Sequence, residues 1–98
     1  MALLHFDQKS FDAALAEGKL MMVDFWANWC MPCRMLGPVI EQLAQDYEGK
    51  ADEQGELAMR YGVMSIPTVI FFKDGKEIHR EVGALPKEVF SNVLNENL

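Results

Sequence analysis

No run of apolar residues in this chain approaches the roughly 18 that a membrane span needs, and even Leu20-Met21-Met22-Val23 stops at Asp24. Proline and glycine are scarce, at 4 and 7 of 98 residues, which excludes collagen-like and low-complexity chains. Basic residues are in the minority. Nine Lys and Arg against 15 Asp and Glu leave a net charge of −6, which repels phosphate backbones and anionic lipid surfaces, so neither nucleic acid nor a membrane is expected as a partner. The N-terminal stretch Met1-Ala2-Leu3-Leu4-His5-Phe6-Asp7 lacks a basic leader and a long apolar core, so no signal peptide is expected and a cytoplasmic location is.

What is present is half apolar: 50% hydrophobic and 10% aromatic, enough to bury one core. At this length the chain is expected to form a single domain over residues 1–98. Strand and helix patterns alternate along it. Leu3-Leu4-His5-Phe6 is a short strand candidate, and Ser10 is expected to cap a helix over residues 11–17 that Gly18 ends. Residues 20–27 are nearly all apolar, as in a strand covered on both faces. From residue 33 to 47, Leu36, Val39, Ile40, Leu43, Ala44 and Tyr47 recur at steps of three and four, which predicts one buried helix face with Pro38 inside it. A short helix over 54–61 and a strand over 68–73 follow. Asp74-Gly75 then predicts a hairpin into an antiparallel strand over 77–82, and Pro86 opens a last helix with Val89, Phe90, Val93 and Leu94 as its buried stripe.

Two cysteines carry the chemistry. Cys30 and Cys33 stand in Trp29-Cys30-Met31-Pro32-Cys33, too close together to staple distant elements and placed where a buried strand meets an amphipathic helix. A thiol attacks only as thiolate, and a helix N-terminus stabilises negative charge, so Cys30 is read as the nucleophile. Cys33, one turn further in, is read as the thiol that resolves the mixed disulfide. The other readings of the pair are a zinc half-site and incidental burial. Zinc would need two more ligands, and His5 and His79, the only histidines, are not at metal-binding spacing.

The stretch Val23-Asp24-Phe25-Trp26-Ala27-Asn28-Trp29-Cys30-Met31-Pro32-Cys33 resembles the active-site segment of the thioredoxin family. Tyr61-Gly62-Val63-Met64-Ser65-Ile66-Pro67-Thr68 resembles the segment carrying its cis-proline, Phe71-Phe72-Lys73-Asp74-Gly75-Lys76 its hairpin, and Val82-Gly83-Ala84 the turn before its last helix. The resemblance runs over nearly the whole chain. It implies a thioredoxin-like α/β fold, a mixed sheet with helices on both faces, and a protein-disulfide reductase working through the Cys30–Cys33 dithiol with no other cofactor and no metal. It also implies that Pro67 is cis, that the backbone of Ile66 pairs with an extended substrate peptide, and that Trp26, Trp29, Met31, Pro32, Ile66, Gly83 and Ala84 surround Cys30 as a shallow surface. Asp24, the one charge in an apolar strand, would assist proton transfer to or from Cys33. The implied partners are disulfide-containing proteins and a thioredoxin reductase, with the chain itself a monomer or weak dimer.

Two departures from the family pattern stand out. Met31 occupies a position where the family most often has Gly, and only 34 positions separate Cys33 from Pro67, shorter than the family spacing by about one strand. Since Glu48-Gly49-Lys50-Ala51-Asp52 is polar, four strands are expected instead of five. Residues 49–55 would form an exposed connection, the first strand would lie directly beside residues 20–27, and the lysine that partners the buried aspartate in many relatives would be lost. A shortened chain of this kind also admits an alternative function, a redox-inert or weakly active peptide-binding or regulatory module, or a deletion variant.

Overall fold

The computed structural model describes residues 4–43, 47–52 and 55–98. Its elements follow the chain as β1 (Leu4–His5), α1 (Gln8–Ala16), β2 (Met21–Trp26), α2 (Met31–Gln42), β3 (Tyr47–Asp52), α3 (Glu56–Arg60), β4 (Thr68–Lys73), β5 (Lys76–Val82) and α4 (Lys87–Glu96). Strand alternation in β2 sorts the core into two layers. Met21, Val23 and Phe25 pack with Phe11 and Ala14 of α1 and Leu57 and Ala58 of α3. Met22 packs on the opposite face with Leu36 and Ile40 of α2 and Phe90 and Leu94 of α4. The helices thus cover both faces of a mixed sheet, as the thioredoxin-like class requires.

Local chemistry explains the ends of these elements. Helix α1 is capped by Asp7 rather than by the expected Ser10: the Asp7 carboxylate accepts from Ser10 N–H at 2.8 Å, and Asp7 N–H donates to Ser10 Oγ at 3.0 Å. Both residue types cap well, and the reciprocal bonds favour the earlier start because they satisfy two N–H groups at once. Asp74 and Gly75 adopt positive φ angles of 55° and 78°, the geometry a two-residue turn between antiparallel strands needs, and β4 and β5 pair as expected.

The strand count differs from the expectation. The sheet has five strands in the order β1-β3-β2-β4-β5, and β3 lies between β1 and β2, parallel to both, so residues 49–52 are paired strand and β1 is not adjacent to β2. The polarity of this segment had argued against a central strand, but the ladder is made by backbone N–H and C=O groups that every residue here carries. A gap between β1 and β2 would strand those groups along two facing edges, and any extended backbone that fills it removes the cost. β3 takes Tyr47 from the end of the expected helix and the rest from the polar stretch that follows it. Leu36, Ile40 and Leu43 are buried as the periodicity predicts, yet α2 stops at Gln42 and Tyr47 opens β3 instead of closing a helix face. The expectation for Ala44 lies outside the described residues.

Candidate active site

Strand β2 delivers the chain to the site. After Trp26 the backbone turns through Ala27–Trp29, with Cys30 N–H donating to Ala27 O at 3.1 Å, and Cys30 becomes the N-cap of α2. Pro32 sits in the first turn, where its missing N–H leaves no helical bond unmade. Cys30 and Cys33 are joined in a disulfide with their Cα atoms 5.3 Å apart, and among the described residues no cysteine is free. The Cys33 N–H donates to Cys30 Sγ at 3.3 Å. One N–H of the first turn of a 12-residue helix thus reaches the Cys30 sulfur at the positive end of the helix dipole, an arrangement that stabilises a thiolate there when the disulfide is opened. Both sulfur-bearing residues are nearly enclosed, Cys30 at 5% exposure and Cys33 at 3%.

A groove of about 500 Å³ opens beside Cys30, lined by Trp29, Met31 and Pro32 from the chain around that cysteine and by Val63, Met64, Ser65 and Ile66 from the loop before β4. Among the described residues that line it, none carries an acidic or basic side chain. In a chain of net charge −6 this is an uncharged, largely apolar face, and Trp29, Met31 and Met64 are exposed on it. The Ile66–Pro67 bond is cis. Pro67 is buried next to the groove, its carbonyl accepting from Gly83 N–H at 2.8 Å, while Thr68 Oγ1 donates to Ser65 O at 2.6 Å and holds the preceding loop.

Of the residues singled out from sequence, Trp29, Cys30, Met31, Pro32 and Ile66 come together in the groove. Pro67 and Gly83 adjoin it through their hydrogen bond, Ala84 is exposed beside Gly83, and Trp26 is half-buried at the end of β2. Val63, Met64 and Ser65 were not foreseen as wall residues. Their signal was available, since they immediately precede Ile66-Pro67 in the same quoted motif. Asp24 is fully buried and, by alternation with Met22, lies on the sheet face that α2 covers. The register sets Val69 on one side of Asp24 and Lys50 on the other, so a lysine occupies the neighbouring-strand position that the shortening was expected to empty. Among the described residues, no three His, Cys, Asp or Glu side chains group as a metal site would, and no helix is long and apolar enough to cross a membrane.

Comparison with known proteins agrees with this geometry. The family model for Thioredoxin matches residues 2–96. Thioredoxins of Staphylococcus aureus strains Mu50 and MW2 are each 47% identical to the chain over 105 positions, covering all of both sequences. The fold is similar to that of a mutant thioredoxin from Halobacterium salinarum NRC-1, with a TM-score of 0.87, 31% identity, and coverage of 96% of this chain and 88% of that one. A helix-capping dithiol on a mixed sheet defines a thiol–disulfide oxidoreductase, and the chain acts as a protein-disulfide reductase. It belongs to the thioredoxin family. The 105 aligned positions against 98 residues leave seven with no residue in this chain, about one strand's length, in keeping with the short Cys33–Pro67 spacing.

Proposed function

We propose that Cys30 attacks the disulfide of a protein substrate and that Cys33 resolves the product. The supporting observation is the position of Cys30: it caps α2, receives the Cys33 N–H and, among the described residues, is the cysteine that lines the groove. In the forward step the Cys30 thiolate attacks one substrate sulfur, a mixed disulfide forms, and the other substrate sulfur leaves as a thiolate that takes up a proton. Cys33 then loses its proton and attacks Cys30 Sγ. The Cys30–Cys33 bond forms, and the substrate departs as a dithiol. Asp24, buried on the α2 face of the sheet, is the group we assign to accept the Cys33 proton. An extended substrate segment lies against Ile66 and Pro67, with Trp29, Met31, Pro32, Gly83 and Ala84 meeting its side chains. No cofactor beyond the disulfide and no metal takes part.

The apolar, uncharged groove favours disulfide-containing proteins over nucleic acid or membrane as partners, and a thioredoxin reductase, the usual reductant of the family, returns the pair to the dithiol. The reading includes a cytoplasmic, monomeric or weakly dimeric protein that carries electrons in cell redox homeostasis. Alkylation of the reduced protein at pH 7, followed by peptide mapping, tests the roles of the thiols. Cys30 should label first, and Cys33→Ser should trap mixed disulfides that Cys30→Ser does not; faster labelling of Cys33 would reverse the assignment.

A further inference from the structure

Seven methionines are many for 98 residues, and the structure divides the described ones sharply. Met21 and Met22 are sealed in β2 at 1% exposure, whereas Met31, Met35, Met59 and Met64 are exposed, Met64 to 96%. Only two of the exposed four line the groove. Met31 stands at the start of α2 and Met64 in the loop before β4, so each of the two chain segments that line the groove with Cys30 presents one exposed methionine. Each is an apolar contact for whatever covers the redox disulfide, and each offers its thioether to solvent when the groove is empty.

We propose that Met31 and Met64 are an oxidation-sensitive pair whose conversion to sulfoxides by a peroxide weakens the grip on protein disulfides while leaving thiol–disulfide exchange at Cys30 and Cys33 intact. The inference rests on the reading of this groove as the substrate site. In each event a thioether sulfur attacks one peroxide oxygen, an S–O bond forms as the O–O bond breaks, and the second oxygen leaves as water after taking up the peroxide protons. Sulfur is oxidised by two electrons and the peroxide is reduced. The product carries a strong acceptor oxygen in place of an apolar surface, and burying it beneath a substrate side chain without a donor is unfavourable. The disulfide and the thioethers also recover by different routes. A dithiol donor reopens Cys30–Cys33, whereas a sulfoxide needs its own reductase, so the groove retains a record of oxidant exposure after the dithiol has been restored.

The test starts from the disulfide form, in which both cysteines are protected from peroxide. After treatment with hydrogen peroxide and its removal by catalase, peptide mapping should find one added oxygen at Met31 and Met64, also at Met35 and Met59, and none at Met21 or Met22. KM for insulin reduction should rise about fivefold or more, while the rate with a small aromatic disulfide, which does not span the groove, stays within about twofold. Each variant is compared with its own untreated sample. Met31→Leu/Met64→Leu should show no peroxide-dependent rise in KM, and Met35→Leu/Met59→Leu should show the same rise as the parent protein. An unchanged KM with both groove sulfoxides mapped, or an equal rise in Met31→Leu/Met64→Leu, overturns the inference. Failure of the untreated protein to reduce insulin overturns the reading of the site itself.

Discussion

β3 and β4 flank the same strand, β2, yet they hold their places for different reasons. β4 is Thr-Val-Ile-Phe-Phe-Lys, with its first five residues buried and its side chains shared between both core layers. β3 is Tyr-Glu-Gly-Lys-Ala-Asp, a sequence with little apolar surface, and it enters the sheet in register with β2 over six residues and with β1 over two. The first strand is specified by what its side chains bury. The second is specified by the ladder that its neighbours would otherwise leave open. The reacting dithiol is positioned from the well-specified side, by β2, α2 and the loop into β4, so the site can be complete even where the sheet is held mainly by backbone.

This contrast predicts unequal responses to substitution, the largest in β4. Phe71→Ala empties a fully buried site between β4 and α4 and should cost about 3–5 kcal/mol in urea unfolding. A loss below about 1 kcal/mol would mean that β4 is not the better-packed neighbour. Gly49→Pro removes one N–H from a strand with partners on both sides and should cost about 1–3 kcal/mol, whereas Gly49→Ala should be mild. Equal stability of Gly49→Pro and the parent would return this segment to the status of an exposed connection.

Residues 47–52 are also where the sequence carries the weakest signal of its structure. Continuous apolar runs revealed β2 and β4, a turn dipeptide the bend at Asp74-Gly75, and the period-3.6 pattern the buried stripe of α4, because each buries apolar side chains or needs a special backbone angle. The pairing of Cys30 with Cys33 and the cis bond before Pro67 were legible through the motifs that contain them. β3 was not, since a backbone ladder leaves no side-chain pattern, and its polar residues after Tyr47 read as an exposed connection. Met64 was missed for a related reason. Its role in the groove arises from the fold bringing the loop before β4 against the start of α2, a contact between positions far apart in sequence.

Smaller effects sharpen the comparison at β2 itself. Asp24 is a fully buried ionisable group between the two unlike neighbours, so Asp24→Asn removes the cost of burying charge at nearly constant volume. It should raise stability by about 1–2 kcal/mol and slow insulin reduction by about tenfold or more. Unchanged turnover from pH 6 to 8 would remove Asp24 from the mechanism. The smallest effect lies outside the groove, at the cap of α1. Hydrogen bonding from the Ser10 backbone, then from its side chain, holds the Asp7 carboxyl below its ordinary value of 3.8. A lowered folded-state value means that the cap stabilises the fold above that ordinary value and is lost as the pH falls through the lowered one. Asp7→Ala should lower the urea midpoint slightly at pH 7, Asp7→Asn should restore most of it, and the difference between Asp7→Ala and the parent should vanish in acid.

The central claim, that this chain reduces protein disulfides through Cys30 although it is seven positions shorter than its aligned relatives, is tested most directly by dithiothreitol-driven insulin precipitation against a dithiol-only blank. The native protein should bring precipitation forward well ahead of the blank and Cys30→Ser should run with the blank; a native protein no faster than the blank would contradict the account and leave a peptide-binding module that does not turn over.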